Sequence, residues 1–173
     1  GLVGVPVITE WATLSKEVDF MYGMLKQHGY PGYLYMIDNG ATATWEHWNA
    51  NRSRLHNCFN GIASWFYQGP GGIRPEENVP AYRSVIFDPQ IPGGLTWAKT
   101  SIDTPYGLTS LDWKKDGQSL VMDVRVPVGA RGFVVAPEGC TEASVDGEKV
   151  SLVRNGSSLG IRLGAGSRKV VFT

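Results

Sequence analysis

The sequence predicts an α+β chain in two parts, a helical first part followed by an antiparallel β-sandwich. Three observations predict it. Up to about residue 66 the apolar residues recur at intervals of three and four, the period of amphipathic helices. Beyond Pro80 they alternate with polar neighbours, the period of half-buried strands. Asp116-Gly117, Asp146-Gly147 and Asn155-Gly156 then punctuate that second part with dipeptides that suit tight hairpins. About eight short strands with frequent turns favour antiparallel pairing. The polar, proline-bounded stretch Arg74-Pro75-Glu76-Glu77-Asn78-Val79-Pro80 reads as a linker, dividing the chain into 1–78 and 79–173.

Taken in order, Ile8, Trp11, Leu14, Val18, Met21, Tyr22 and Leu25 form one stripe, and Gly29 and Pro31 stop it, so a single helix is expected to end near His28. A second helix is expected from Ser53, an N-cap candidate, with Leu55, Cys58, Phe59, Ile62, Trp65 and Phe66 on one face. Gly69-Pro70-Gly71-Gly72 ends it. The connection between them, 29–52, is long and aromatic, and loops of that length are usually functional. Val85-Ile86-Phe87, Leu95 and Trp97, and Leu120 through Val126 open the strand region. Trp97 and Trp113, set among polar residues, read as core or interface. Two helices with wide apolar faces cannot cover each other, so they require further partners.

Composition removes several classes of function. Of 173 residues, 16 are basic and 16 acidic, for a net charge of zero, and the basic residues are scattered. Nucleic acid and acidic membrane surfaces demand a clustered positive face, so neither is an expected partner. No run reaches the roughly 18 apolar residues of a membrane span. Cys58 and Cys140 lack metal-ligand spacing and read as buried thiols, and the histidines are not grouped as metal ligands, so no metal and no cofactor is expected.

Within the long connection lies Thr44-Trp45-Glu46-His47-Trp48, a carboxylate between two indoles. Sugar rings combine polar rims with apolar faces, and flat aromatics with a directed carboxylate suit both. His47, next to the glutamate, points elsewhere in most backbones and reads as a rim residue.

The order of motifs adds a family resemblance. Gly-Tyr-x-Tyr-Met-Ile-Asp-Asn-Gly-Ala-Thr-Ala-Thr-Trp-Glu, then Ser-Arg-x-His, Ser-Trp-Phe-Tyr and Gly-Ile-Arg-Pro, and later Val-Ile-Phe-Asp-Pro-Gln and Thr-Pro-Tyr-Gly-Leu, resemble the bacterial α-L-rhamnosidases. The resemblance implies the end of an (α/α)6 catalytic toroid in 1–78 and a C-terminal β-sandwich in 79–173. It implies inverting hydrolysis of terminal α-L-rhamnose, with two carboxyls ~6.5–9.5 Å apart across the sugar. By its motif Glu46 matches the general base. His56, in Ser-Arg-Leu-His, matches a family histidine that can hydrogen-bond a substrate hydroxyl, and the general acid lies upstream of this sequence. Read by their chemistry alone, the indoles of Trp45 and Trp48 are expected substrate contacts, with a wall of the pocket as the alternative. The implied partner is a rhamnose-containing glycoside, and the implied setting of the whole enzyme is periplasmic or extracellular. Leu55 stands where many relatives carry Asn, and Ser64 where many carry Glu, which alters the polar contacts of the sugar subsite.

Two other readings compete. The sandwich can be a carbohydrate-binding or structural module with a helical adaptor. Alternatively, the stripe of Trp11, Leu14, Val18 and Met21 can pair copies of the chain.

Overall fold

The computed structural model describes residues 2–173, which divide into two compact units. The first holds residues up to Gly69 together with Ile91–Gly93, and the second holds Pro70–Gln90 and Gly94–Thr173. The division therefore falls at 69/70, whereas the sequence signals place it at 78/79.

Four short helices build the first unit: α1 (Gly4–Leu14), α2 (Val18–Leu25), α3 (Tyr33–Asp38) and α4 (Ile62–Gln68). The single helix expected over 8–28 is thus two. Lys16 takes a left-handed backbone (φ 58), and the Glu17 N–H reaches past the normal helical acceptor to the Ala12 carbonyl at 2.9 Å. No Pro or Gly marks that break, so the apolar stripe runs through it unannounced. Met21 is fully buried while Trp11 and Leu14 are exposed, so the stripe does not form one continuous surface for pairing copies of the chain.

The second expected helix starts at Ile62 rather than Ser53. Its first half is diverted because the His56 N–H bonds the Thr44 carbonyl and the Glu46 N–H bonds the Ser53 carbonyl, both at 2.9 Å. Backbone groups used in extended pairing cannot also serve an α-helical ladder. α3 lies inside the stretch expected to be irregular, where Tyr-Leu-Tyr-Met-Ile-Asp contains no polar interval to reveal a helical period. Ala12, Met21, Met36, Trp45, Phe59, Ile62 and Trp65 form the core of this unit. The returning segment is tied to it by the Gly93 N–H, which donates to Asp19 Oδ1 at 2.7 Å.

Apart from one 3-10 turn at Pro80–Tyr82, the second unit is built of strands: β1 (Ile73–Pro75), β2 (Ser84–Phe87), β3 (Trp97–Thr104), β4 (Gly107–Asp116), β5 (Ser119–Val126), β6 (Arg131–Val135), β7 (Ala143–Val145), β8 (Glu148–Lys149), β9 (Val153–Asn155), β10 (Ser158–Leu163) and β11 (Gly166–Phe172). One sheet runs β1-β2-β6-β10-β9 and the other β3-β4-β5-β11-β7-β8. All pairings are antiparallel except β2 with β6. The three Asx-Gly hairpins form as expected, with Asp116 opposite Ser119, Val145 opposite Glu148 and Asn155 opposite Ser158. Asp146 and Gly147 both have positive φ (52 and 88), as a twist-matched two-residue turn requires.

Inward residues of both sheets meet, among them Val85, Phe87 and Val134 from one and Leu111, Met122, Val124 and Val170 from the other. A Cβ on Gly132 would stand 2.8 Å from the Phe87 ring and 2.9 Å from Val126, so this strand position admits only glycine.

The stretch expected to be linker begins with β1, and its purpose is visible in the pairing. Ile73 lies opposite Phe87, and Arg74 bonds Asp88 at 2.5 Å in a pair largely shielded from water. The Gly-Ile-Arg-Pro and Phe-Asp-Pro motifs are therefore two sides of one strand pair. Trp113 is buried and donates its indole N–H to the Pro70 carbonyl at 2.7 Å, whereas Trp97 is 60% exposed. Both cysteines are free and half-buried rather than buried. Among the described residues no helix is long and apolar enough to cross a membrane, and no group of three or more potential metal ligands occurs.

Candidate functional site

The first unit carries the whole Thr-Trp-Glu-His-Trp cluster and His56. Residues 44–46 and 53–56 run side by side as a two-rung clasp, and the loop 47–52 closes it. That loop turns through Ala50 in the left-handed region (φ 57), with the Ala50 N–H on the His47 carbonyl at 3.1 Å. The sequence supplies the turn through its polar run Asn49 to Ser53, rich in residues that bond their own backbone.

Glu46 sits on the first arm, half-buried. Its Oε2 accepts the Ser53 N–H at 3.2 Å, so one carboxylate oxygen is held by the opposite arm. A carboxylate oriented in this way keeps its other oxygen for a water or a hydroxyl. His56 sits on the second arm, also half-buried, and its Nδ1 accepts the Cys58 N–H at 3.1 Å. That bond decides the tautomer of the neutral ring: the hydrogen resides on Nε2, which is a donor. The clasp thus presents one acceptor and one donor, the pair needed to orient hydroxyls.

The indoles do different things. Trp45 is 3% exposed and belongs to the core, with the Arg54 guanidinium 5.9 Å above its ring. Its ring is a wall, and the exposed group over it is Arg54. Trp48 is half-buried, stacked on Phe59 at 4.0 Å and edge-on to Tyr33 at 5.3 Å. Phe59 therefore covers one indole face, and Trp48 also lines an apolar cavity of about 480 Å³ together with Val5, Ile8, Met24, Pro31 and Tyr33. Burial pushes the Tyr33 phenol up to about 12, so it remains a donor, bonding the Phe59 carbonyl at 3.0 Å.

His47, Asp38 and Leu55 form neither rung of the clasp. His47 is exposed and faces Asn51 Oδ1 at 3.0 Å. Asp38 is paired with His28 at 2.6 Å. Leu55, the departure from the family pattern, is 79% exposed between Arg54 and His56.

Sequence reasoning missed Ser53 as the donor to Glu46, and missed Thr44 and Asn60. Thr44 Oγ1 contacts both the His56 carbonyl, at 2.6 Å, and Asn60 Oδ1. The signal available was the Thr-x-Thr alternation leading into Trp-Glu, which reads as extended backbone.

Comparison with known proteins matches both units to one family. Residues 1–69 match the bacterial alpha-L-rhamnosidase 6 hairpin glycosidase domain, and residues 72–151 match the bacterial alpha-L-rhamnosidase C-terminal domain. An alpha-L-rhamnosidase of Alteromonas sp. (strain LOR) is 30% identical over 148 residues, covering 79% of this chain and 16% of the relative. The structure of an alpha-L-rhamnosidase from Dictyoglumus thermophilum superposes with a TM-score of 0.89 at 28% identity, covering 99% of this chain and 20% of that one. A Streptomyces avermitilis alpha-L-rhamnosidase, solved with L-rhamnose, shares the fold with a TM-score of 0.86 at 23% identity, over 99% of this chain and 18% of that one. The chain thus spans about a fifth or less of the length of these relatives. With its helical unit matching one domain of a single family and its sheets matching the next, the chain belongs to the bacterial α-L-rhamnosidase family.

Proposed function

We propose that the chain is the C-terminal part of an α-L-rhamnosidase-like glycoside hydrolase that removes terminal α-L-rhamnose with inversion. In this reading Glu46 is the general base that activates the attacking water. His56 donates from Nε2 to a sugar hydroxyl, the half-buried Trp48 offers apolar contact, and Trp45 backs the pocket wall. The observation that carries the reading is the clasp: Ser53 holds one oxygen of Glu46, and the facing arm presents an imidazole donor.

An inverting reaction needs an acid on the other side of the glycosidic oxygen. No acid of this chain stands in a family motif for that role, so the chain supplies one side of the pocket. Purified alone, it is expected to leave an aryl α-L-rhamnoside intact. In the full-length protein, Glu46→Gln should lower turnover of that substrate by about 10²–10⁴-fold, the usual contribution of a positioned base. Turnover within a few-fold of the parent would remove Glu46 from the mechanism.

A second reading draws support from Trp97, whose exposed indole lies on the edge strand β3 beside Lys114 of β4. In it the sandwich binds carbohydrate independently of catalysis. Titrating the chain with rhamnose-containing oligosaccharides should then give a signal that Trp97→Ala abolishes and Glu46→Gln does not.

A further inference from the structure

We propose that Thr44 is the positioning residue of this site, fixing the second arm of the clasp so that His56 stands correctly beside Glu46. The inference rests on the reading of Glu46 and His56 given above.

Thr44 makes three contacts to one short segment. Its carbonyl accepts the His56 N–H at 2.9 Å, its Oγ1 lies 2.6 Å from the His56 carbonyl, and the same Oγ1 meets the Asn60 side chain. A hydroxyl has one hydrogen and cannot donate to two oxygens. Turning the Asn60 amide about its last bond places Nδ2 on Thr44 Oγ1, and the two contacts of the hydroxyl are then compatible. Asn60 donates to Thr44, and Thr44 donates to the His56 carbonyl.

The clasp needs this fastening because its two rungs are unequal. From the Thr44–His56 rung to the Glu46–Ser53 rung the first arm advances two residues and the second three. The second arm therefore bulges at Arg54-Leu55, and a bulge re-aims the side chains around it. The His56 ring is bonded to the Cys58 N–H, so its direction follows the backbone of 56–58. Where that backbone goes, the imidazole goes; Ser53 bonds Leu55 within the bulge, and the Thr44 hydroxyl is the side-chain bond that ties the His56 end to the first arm.

Thr44 therefore acts through His56, and its removal should be felt in substrate binding more than in the chemical step. In the full-length protein Thr44→Val, which keeps the shape and deletes the hydroxyl, should raise KM for an aryl α-L-rhamnoside about tenfold, the worth of one good hydrogen bond. kcat should change by less than about threefold, since the interaction is the same in ground and transition states. Thr44→Ser should restore KM. Asn60→Ala, which removes only the outer contact, should give a smaller rise in the same direction and provides the test should the valine variant fail to fold. In a His56→Ala background, Thr44→Val should add nothing. An unchanged KM in both Thr44→Val and Asn60→Ala, a serine variant as impaired as the valine, or a valine effect that persists undiminished without His56 would each overturn the proposal.

The reading of the site can fail separately. Glu46→Gln with normal turnover would discard Glu46 as base while leaving the Thr44–His56 cycle measurable. A readout without activity is amide exchange in the 173-residue chain, where Thr44→Val should speed exchange at His56 and Thr44→Ser should not. Unchanged exchange at His56 in the valine variant would also overturn the proposal.

Discussion

Two buried tryptophans, one in each unit, are treated differently. Trp113 in the sheet unit donates its indole N–H to the Pro70 carbonyl, while Trp65 in the helical unit is equally buried and its N–H has no acceptor among the described residues. The surfaces differ in the same sense. Among the described residues, eleven large apolar side chains are exposed up to Tyr67, including Val3, Val7, Trp11, Leu14 and Phe20, against five from Trp97 onward. A sheet pair buries its two inner faces against each other, and the remaining faces can be polar. Short helices that match part of a six-hairpin domain leave faces open that such a domain covers with further helices. The lesson is that the candidate site belongs to the unit whose packing is less self-contained.

Substitutions in each unit test that contrast. The largest effect is expected for Trp113→Ala, which empties the centre of the sandwich and should cost about 3–5 kcal/mol in urea unfolding followed by circular dichroism. A cost below about 1 kcal/mol would mean that the sheet unit is not closed around this side chain.

Next is the comparison of Trp113→Phe with Trp65→Phe. The first strands the Pro70 carbonyl in the interior, and the second removes an indole N–H that has no acceptor. Trp113→Phe should therefore be the more destabilising by about 1–3 kcal/mol. Equal costs would erase the difference between the two indoles.

A smaller, pH-dependent effect is expected at Glu76. Hydrogen bonds from Ser84 and Asn155, with Arg131 adding charge, hold its carboxyl below the usual carboxylate range. The folded state thus favours the ionised form. That stabilisation is complete above the unfolded-state pKa and is lost as pH falls through the lower folded value. The melting temperature should fall on acidification between about pH 5 and 3, and Glu76→Gln should flatten that part of the curve. An unchanged slope would remove Glu76 from the acid sensitivity.

The smallest effect is expected for Trp97→Ser. An indole that is 60% exposed should change stability by no more than about 0.5 kcal/mol, in contrast to its buried counterpart on the next strand.

The sandwich was the more legible half because each strand announces itself locally. Alternation gives the inward face, as in Leu120, Met122, Val124 and Val126, and Asx-Gly pairs give the turns. The parallel pairing of β2 with β6 had no such mark, since it joins segments far apart in sequence. In the helical unit the stripe was visible, but the break at Lys16 was not, nor was the late start of α4. Both depend on which carbonyl an N–H reaches, and periodicity does not encode that. At the candidate site, motif and chemistry single out Glu46 and His56, and the structure sets them on the two arms of one clasp. Trp45 expected at the substrate lies in the core, and Thr44, Ser53 and Asn60 were invisible because their roles exist only once the two arms meet.

By itself, then, the sequence determined the class of each half, the antiparallel hairpins, and the residue types gathered near Glu46. It could do so because side-chain period and turn chemistry are local properties. Only the tertiary structure decided that Trp45 is wall and Trp48 half-open, that β1 joins the sheet through Arg74 and Asp88, and that the chain from Ser53 forms a clasp instead of a helix. Each of these is a choice between partners for the same group, and the choice depends on which distant segment the fold brings within hydrogen-bonding reach.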